Sequence, residues 1–291
     1  MRRPQERETD NTNQGLLNDS AQATFNVDPK TVEGFGQEWS RFTQKELSNS
    51  ERVELFHKFF SPIDWTRKFS KAMDLGCGSG RWDIMVAPLV GELVAADASR
   101  EALAVARRNV HAPNVSFVEC TAETLPFPDG HFDLIFSIGV LHHVPNTEGA
   151  IRSLVEKLCP GGTLLLYLYY AFDNRPTWFR ALWRLSDLIR RVISKFPFWA
   201  RYAASQVIAF TLYWPLARTA RYLPVPDSWP LKFYANRSFY YMRTDALDRF
   251  GTRLEKRFTR AQIQNMLESA GLIDVRFSSS APYWVCAANK P

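Results

Sequence analysis

Cysteine is sparse in this chain and never falls at metal-binding or redox spacing. Cys77, Cys120, Cys159 and Cys286 form no C-x-x-C pair, so neither a zinc ribbon nor a disulfide framework is suggested. Long hydrophobic runs are missing too. The longest apolar stretch, 203–217, is interrupted by Ser205, Gln206 and Pro215 and closed by Arg201 and Arg218, whereas a membrane-spanning helix needs about twenty apolar residues. Residues 1–30 are rich in Asn, Gln, Asp and Glu and hold no apolar core of a secretion signal. Free thiols without an export signal point to the cytoplasm. Extreme charge is absent as well. Against 36 Lys and Arg stand 30 Asp and Glu, a net +6, too little to imply a polyanionic partner. No nucleic acid is expected.

What is present is a regular alternation. With 291 residues, 46% of them apolar, the chain suits one α/β core with a sizeable appendage. A polar tail over 1–34 is predicted to be disordered, and 46–60 to form a helix. From residue 70, strands are predicted at 71–75, 92–97, 114–119, 132–137 and 163–169, with helices at 81–90, 100–109 and 147–158 between them. Ser99 is a natural cap for the helix at 100, and Pro160-Gly161-Gly162 a stop after 158. The pattern lapses over 170–258, which is dense in Trp, Tyr, Phe and Arg. It resumes with a helix at 260–270 and strands at 273–277 and 283–288. The predicted division is therefore a ligand-binding core over 35–169, a helical insertion over 170–258, and closing elements of the core over 259–291.

The most informative stretch is 72–82, AMDLGCGSGRW. A strand delivers Asp74, and Gly76, Gly78 and Gly80 then alternate into a helix. Glycines so spaced let the backbone turn sharply and approach a ligand without a Cβ in the way. The dinucleotide fingerprint G-x-G-x-x-G fails in both registers, because its third position is Arg81 or Asp83. Asp97 ends the second strand, at the carboxyl edge beside the glycine turn, where a carboxylate can accept from both hydroxyls of a ribose.

Asp-x-Gly-x-Gly-x-Gly resembles the first motif of the class I S-adenosylmethionine-dependent methyltransferases. The segment 120–146, CTAETLPFPDGHFDLIFSIGVLHHVPN, strengthens the likeness. It resembles the enzymes of ubiquinone and menaquinone biosynthesis, matching at Ala122, Glu123, Leu125, Pro126, Phe127, Pro128, Asp129, Phe132 and Asp133, then at Leu141, His142, His143 and Val144. The resemblance covers 70–170 and, more loosely, 255–290. It implies a Rossmann-like seven-stranded methyltransferase sheet with a helical, aromatic-rich insertion after strand five.

It also implies S-adenosylmethionine as cofactor, with Asp74, Gly76, Cys77, Gly78, Gly80, Asp97, Ala98, Thr121, Ala122, Glu123, Ser137 and Trp39 around it. The family has an acid, read as contacting the adenine amino group, where this chain has Thr121. Near the amino terminus FGQEWSRF resembles a segment that closes over the cofactor in relatives, Phe35, Trp39 and Phe42 covering it and Arg41 near its carboxylate. A plain packing helix is the alternative.

Transfer of a sulfonium methyl needs chiefly an aligned nucleophile, and a base only when that nucleophile arrives protonated. His142 and His143, just past strand four, and Asp248 and Arg249, in the charged stretch 244–263, are the candidates on the acceptor side. The pair of histidines is equally a structural feature, and the charged stretch equally a salt-bridged strap. Related quinone O-methyltransferases place metal-binding carboxylates where this chain has Gly139 and His142, so no metal is expected. The Asn/Asp-Pro-Pro-Tyr/Phe signature of base methylation is absent after strand four. The acceptor is expected to be a small molecule or lipid-linked metabolite methylated on oxygen. A cofactor-binding sensor or partner protein without transfer activity is the alternative. On a wheel of about 100° per residue, 178–195 is a basic amphipathic helix. One reading is a cap packed on the core; the other is peripheral contact with an anionic membrane.

Overall fold

Strands that are apolar on both sides are the mark of a parallel sheet covered on two faces, and this chain builds one. The computed structural model describes residues 26–226, 228–279 and 284–291. β1 (Phe69–Leu75), β2 (Val90–Asp97), β3 (Val115–Glu119), β4 (Phe132–Ile138), β5 (Leu158–Tyr167), β6 (Ile273–Phe277) and β7 (Val285–Asn289) lie in the order 3-2-1-4-5-7-6. Only β7 runs antiparallel to its neighbours. The seven-stranded sheet and the helical region after strand five are as the sequence led us to expect. The strand order reverses between β1 and β4, so the loops leaving their carboxyl ends diverge and open a crevice.

Local chemistry explains where the elements depart from expectation. The tail does not extend to residue 34. Asp28 caps α1 (Pro29–Arg41) by accepting from the Lys30 N–H at 3.0 Å, and residues 1–25 lie outside the described residues. α2 (Asn49–Phe59) starts late because Ser48 is its cap. The helix predicted at 81–90 shrinks to α3 (Asp83–Val86) and a single 3₁₀ turn over Ala87–Leu89, since Pro88 has no N–H to continue the ladder. α4 (Arg100–Asn109) carries the Ser99 cap. α5 (Thr147–Lys157) ends before Pro160-Gly161-Gly162. Those residues instead form an irregularity inside β5, whose pairing jumps from Phe132↔Leu158 to Leu134↔Thr163 because proline lacks a ladder donor.

After β5 come α6 (Thr177–Ile193), α7 (Phe198–Ile208), a π-helical turn (Ala209–Tyr213), α8 (Trp214–Tyr222) and α9 (Phe239–Gly251), before α10 (Arg260–Ser269) rejoins the core. α7 and α8 are one rod. Pro215 cannot donate to the Thr211 carbonyl, and the wider turn absorbs the loss. Met242, Ala246 and Phe250 of α9 bury against Ala209, Tyr213 and Ala217. Arg237 fastens the insertion to α2 through two 2.9 Å bonds to Glu54.

Candidate active site

At the carboxyl edge of β1, Gly76 and Gly78 take φ of +85° and +56°, values a side chain disfavours. The N–H groups of Gly76 and Cys77 reach the Ala96 carbonyl at 2.7 and 3.0 Å. Asp97 accepts from the Gly78 N–H at 2.9 Å and from the Ser99 N–H at 2.8 Å. Its carboxylate therefore pins the turn to the end of β2. Burial raises its pKa, against the pull of those backbone donors. Ala98 is half-buried beside it.

Beneath the turn lie two carboxylates with nothing to hold. All four oxygens of Asp74 and Asp83 are buried without a hydrogen-bond partner. Burial, then the charges of Asp83 and Asp97, lifts Asp74 well above the carboxylate range, and burial, then Asp97, raises Asp83 to about 8. Arg81 is the one cation that eases Asp74. An orphaned carboxylate at a strand's carboxyl edge suits a cationic ligand group, and the ammonium of a methionine moiety is such a group. The residues fit the implied cofactor.

Trp39 lies over this turn. A Cβ at residue 78 would fall 2.8 Å from its Cε2, so α1 rests directly on the glycine loop. Gly36 of the same helix approaches Ser99 equally closely. Phe35 meets the His143 ring at 4.9 Å. Two neighbours in the FGQEWSRF segment do otherwise than the resemblance implied. Arg41 reaches the Tyr202 hydroxyl on α7, and Phe42 is buried between Tyr202 and Tyr240.

Several residues expected to line the cofactor also make structural contacts. Cys77 is buried with Ala95, Leu103 and Ala106. Gly80 lets α4 approach, since a Cβ there would meet Val110 at 2.6 Å. Gly76 makes room for Val140 in the same way. Ser137 is enclosed and donates to the Leu75 carbonyl at 2.8 Å, stitching β4 to β1. Ala122 is buried in the main core. Glu123 accepts from the Asn26 N–H at 2.7 Å, and Asn26 also bonds the Asn146 backbone. That clasp holds the start of α1. Thr121 is tied to Thr124 at 3.0 Å within its own loop.

On the side expected to take the acceptor, buried acids and tyrosines form a cluster. Asp245 and Asp248, one turn apart on α9, share a face. The Tyr234 hydroxyl donates to Asp245 and the Tyr169 hydroxyl to Asp248. His143 bonds the Leu254 carbonyl through Nδ1 at 2.6 Å. A carbonyl only accepts, so Nδ1 carries the proton and Nε2 is left bare, 3.9 Å from Asp248. Glu38 of α1 contributes a third carboxyl, with its buried Oε1 unpartnered. Burial first, and then the neighbouring carboxylates, raise Glu38 well above its usual value and Asp245 to about 7. Burial also raises Asp248 and lowers His143.

His142 and Arg249 stand apart from this arrangement. The His142 ring is fully enclosed, stacked on Tyr169 at 3.7 Å, and burial followed by the adjacent His143 depresses its pKa strongly. Arg249 turns away to Glu255 at 2.8 Å and Asp187 at 3.9 Å. It belongs to the strap, in which Arg257, Arg249 and Arg190 outweigh burial and hold the Glu255 pKa down. Sequence reasoning missed Asp245, Tyr169, Tyr234, Glu38, Arg81 and Asp83 as site residues. Tyr169 had a signal, since it follows the carboxyl end of a strand beside the switch point.

The seven-stranded fold carries a matching domain, since residues 73–166 match the methyltransferase domain family. Among curated proteins, the chain is 38% identical over 120 residues to the ubiquinone/menaquinone biosynthesis C-methyltransferase UbiE of Azotobacter vinelandii, covering 38% of this chain and 47% of that one. The Shewanella baltica protein of the same name is 33% identical over 154 residues, covering 49% and 61%. The match thus spans about half the length of these relatives. Among solved structures, a chain from the complex of the Haloferax volcanii Trm112 methyltransferase activator with a methyltransferase superposes at a TM-score of 0.51. It shares 14% identity and covers 87% of this chain and 98% of its own, which speaks to the fold alone.

Proposed function

We propose that the protein transfers the methyl group of S-adenosylmethionine to an oxygen of a small-molecule or lipid-linked acceptor presented to the acid–tyrosine cluster around Asp245 and Asp248. The cofactor supplies an electrophilic methyl on a sulfonium. Asp74 and Asp97 would hold it at the glycine turn, with Trp39 closing over it. The observation that carries the reading is the Asp245–Asp248 pair beside the bare Nε2 of His143. A hydroxyl acceptor must lose its proton as the new bond forms, and a carboxylate titrating near 7 is suited to take it. The tyrosine hydroxyls donate to these carboxylates and fix their orientation.

Methylation on carbon is the second reading, favoured by the activity named for the UbiE relatives. Incubation with S-adenosylmethionine carrying a ¹³C methyl, using lipid extract of the producing cells as acceptor, separates the two. The carbon shift of the product distinguishes an O-methyl from a C-methyl. Calorimetric binding of NAD with none of S-adenosylmethionine or S-adenosylhomocysteine would overturn the whole reading.

A further inference from the structure

α6 is folded inside out, and the α7–α8 rod beside it also shows apolar side chains to the outside. In α6 the enclosed residues include Asp187 and Arg190, 6% and 4% exposed, while Leu185, Leu188 and Val192 are 57%, 61% and 57% exposed. Asp187 accepts from Arg190 and Arg191 at 2.8 Å each, and Arg190 also donates to the Thr252 and Arg253 carbonyls. The inward face of α7 packs Ala204 and Ile208 against the α9 cluster and adds polar contacts. Arg201 donates to the Gly251 carbonyl, and Arg243 of α9 bonds both Tyr202 and Gln206. Meanwhile Trp199, Val207 and Phe210 of this rod stand outside.

The outer residues are not scattered. Trp178, Leu182, Leu185, Ile189 and Val192 recur at intervals of three and four, one continuous stripe along α6. Trp199, Val207, Phe210 and Trp214 make a second stripe along the α7–α8 rod, with Phe210 and Trp214 stacked. A soluble monomer rarely leaves so much contiguous apolar surface without a partner. The flank of the α6 stripe carries exposed Arg180, Arg184 and Arg191. Across 176–226 the sequence has eight Arg and Lys against one acid, Asp187, which faces inward.

We infer that the outer faces of α6 and the α7–α8 rod lie on an anionic lipid surface, their apolar stripes sunk below the headgroups and their arginines among them. Charge selects this occupant. The surface offers arginine beside apolar stripes and indoles of the kind that settle at a membrane interface. A protein partner would have to match the exposed Arg180, Arg184, Arg191, Lys195 and Arg221 and two apolar stripes at once. Among the described residues no helix is long and apolar enough to cross a membrane, so the contact is peripheral. The inference goes beyond methyl transfer and does not depend on it.

The test uses the full chain with vesicles of phosphatidylcholine, with and without phosphatidylglycerol. Sedimentation should recover the protein with the anionic vesicles, and less as salt rises. Leu185→Ser, Leu188→Ser and Val192→Ser together should abolish recovery while leaving the melting temperature and S-adenosylmethionine affinity unchanged. Arg180→Glu with Arg184→Glu should weaken recovery by about tenfold or more. Equal recovery with neutral vesicles would overturn the proposal. So would a dimer in sedimentation that the triple serine variant dissolves, since the face would then belong to a second copy.

Discussion

The Trp39 indole sits so close over Gly78 that a Cβ at residue 78 would lie 2.8 Å from Cε2. Gly78→Ala meets two penalties, that clash and a φ of +56°, of which the second alone is worth about 1–2 kcal/mol. Trp39→Ala removes only the first. In a double-mutant cycle read by thermal unfolding, the pair should therefore be less destabilised than the sum of the single variants. Additivity would mean that the indole does not press on the turn.

Asp83 ties stability to pH. Its folded pKa is raised to about 8, whereas in the unfolded chain it titrates near about 4. Between those values the folded state holds the extra proton, so stability falls as pH rises, with a limiting slope of about 1.4 kcal/mol per unit. Asp83→Asn should flatten that limb and melt higher than the parent above pH 8. Parallel pH profiles would show that the carboxyl is solvated.

On the acceptor side, Asp245→Asn and His143→Ala should leave S-adenosylmethionine affinity within a few-fold by calorimetry. A lost general base lowers transfer by about 10²–10⁴. The parent's rate should rise with pH through about 7, where Asp245 titrates, and this limb should vanish in Asp245→Asn. Arg249→Ala should behave differently, lowering the melting temperature with no change in affinity. A full rate in Asp245→Asn would move the base elsewhere.

The inverted α6 makes an unusual stability forecast. Asp187→Ala leaves Arg190 enclosed without its carboxylate and should destabilise by about 3 kcal/mol, the low end for a broken buried pair, because two carbonyls still accept from the guanidinium. Leu188→Ser should stay within about 0.5 kcal/mol, as at an ordinary surface position. Chemical denaturation of the two variants would reverse this order if the apolar face were the packed one.

Much of the core was legible because strands and caps are local. Ser99 before 100–109 and the alternation from residue 70 both follow from near-neighbour chemistry. Which of the glycine-turn residues face a ligand was not legible, since that depends on contacts made from far along the chain. Val140 fills the space at Gly76, Val110 that at Gly80, and Leu75 takes the Ser137 hydroxyl. On the acceptor side, the charged stretch 244–263 pointed to Asp248 and Arg249 but did not single out Asp245. Only long-range contacts could reveal the Tyr169 hydroxyl on Asp248, or Arg249 turned to Glu255. The hydrophobic wheel of α6 was correct about which residues are apolar but silent on which face is inward. A buried ion pair with Arg249 and Glu255 nearby decided that.

One helix touches both the glycine turn and the acid–tyrosine cluster. α1 presses Trp39 on the glycine turn and Phe35 on His143, and it also sends Glu38 toward Asp245 and Asp248. Its leading end is moored through Asn26 to Glu123 and Asn146. A molecule that reseats this helix at one end reshapes the berth at the other. The two ligands then bind with a shared coupling free energy, and thermodynamic reciprocity makes it equal in both directions. Saturating either one should tighten the other by the same factor, and turnover should follow a preferred order of arrival and departure.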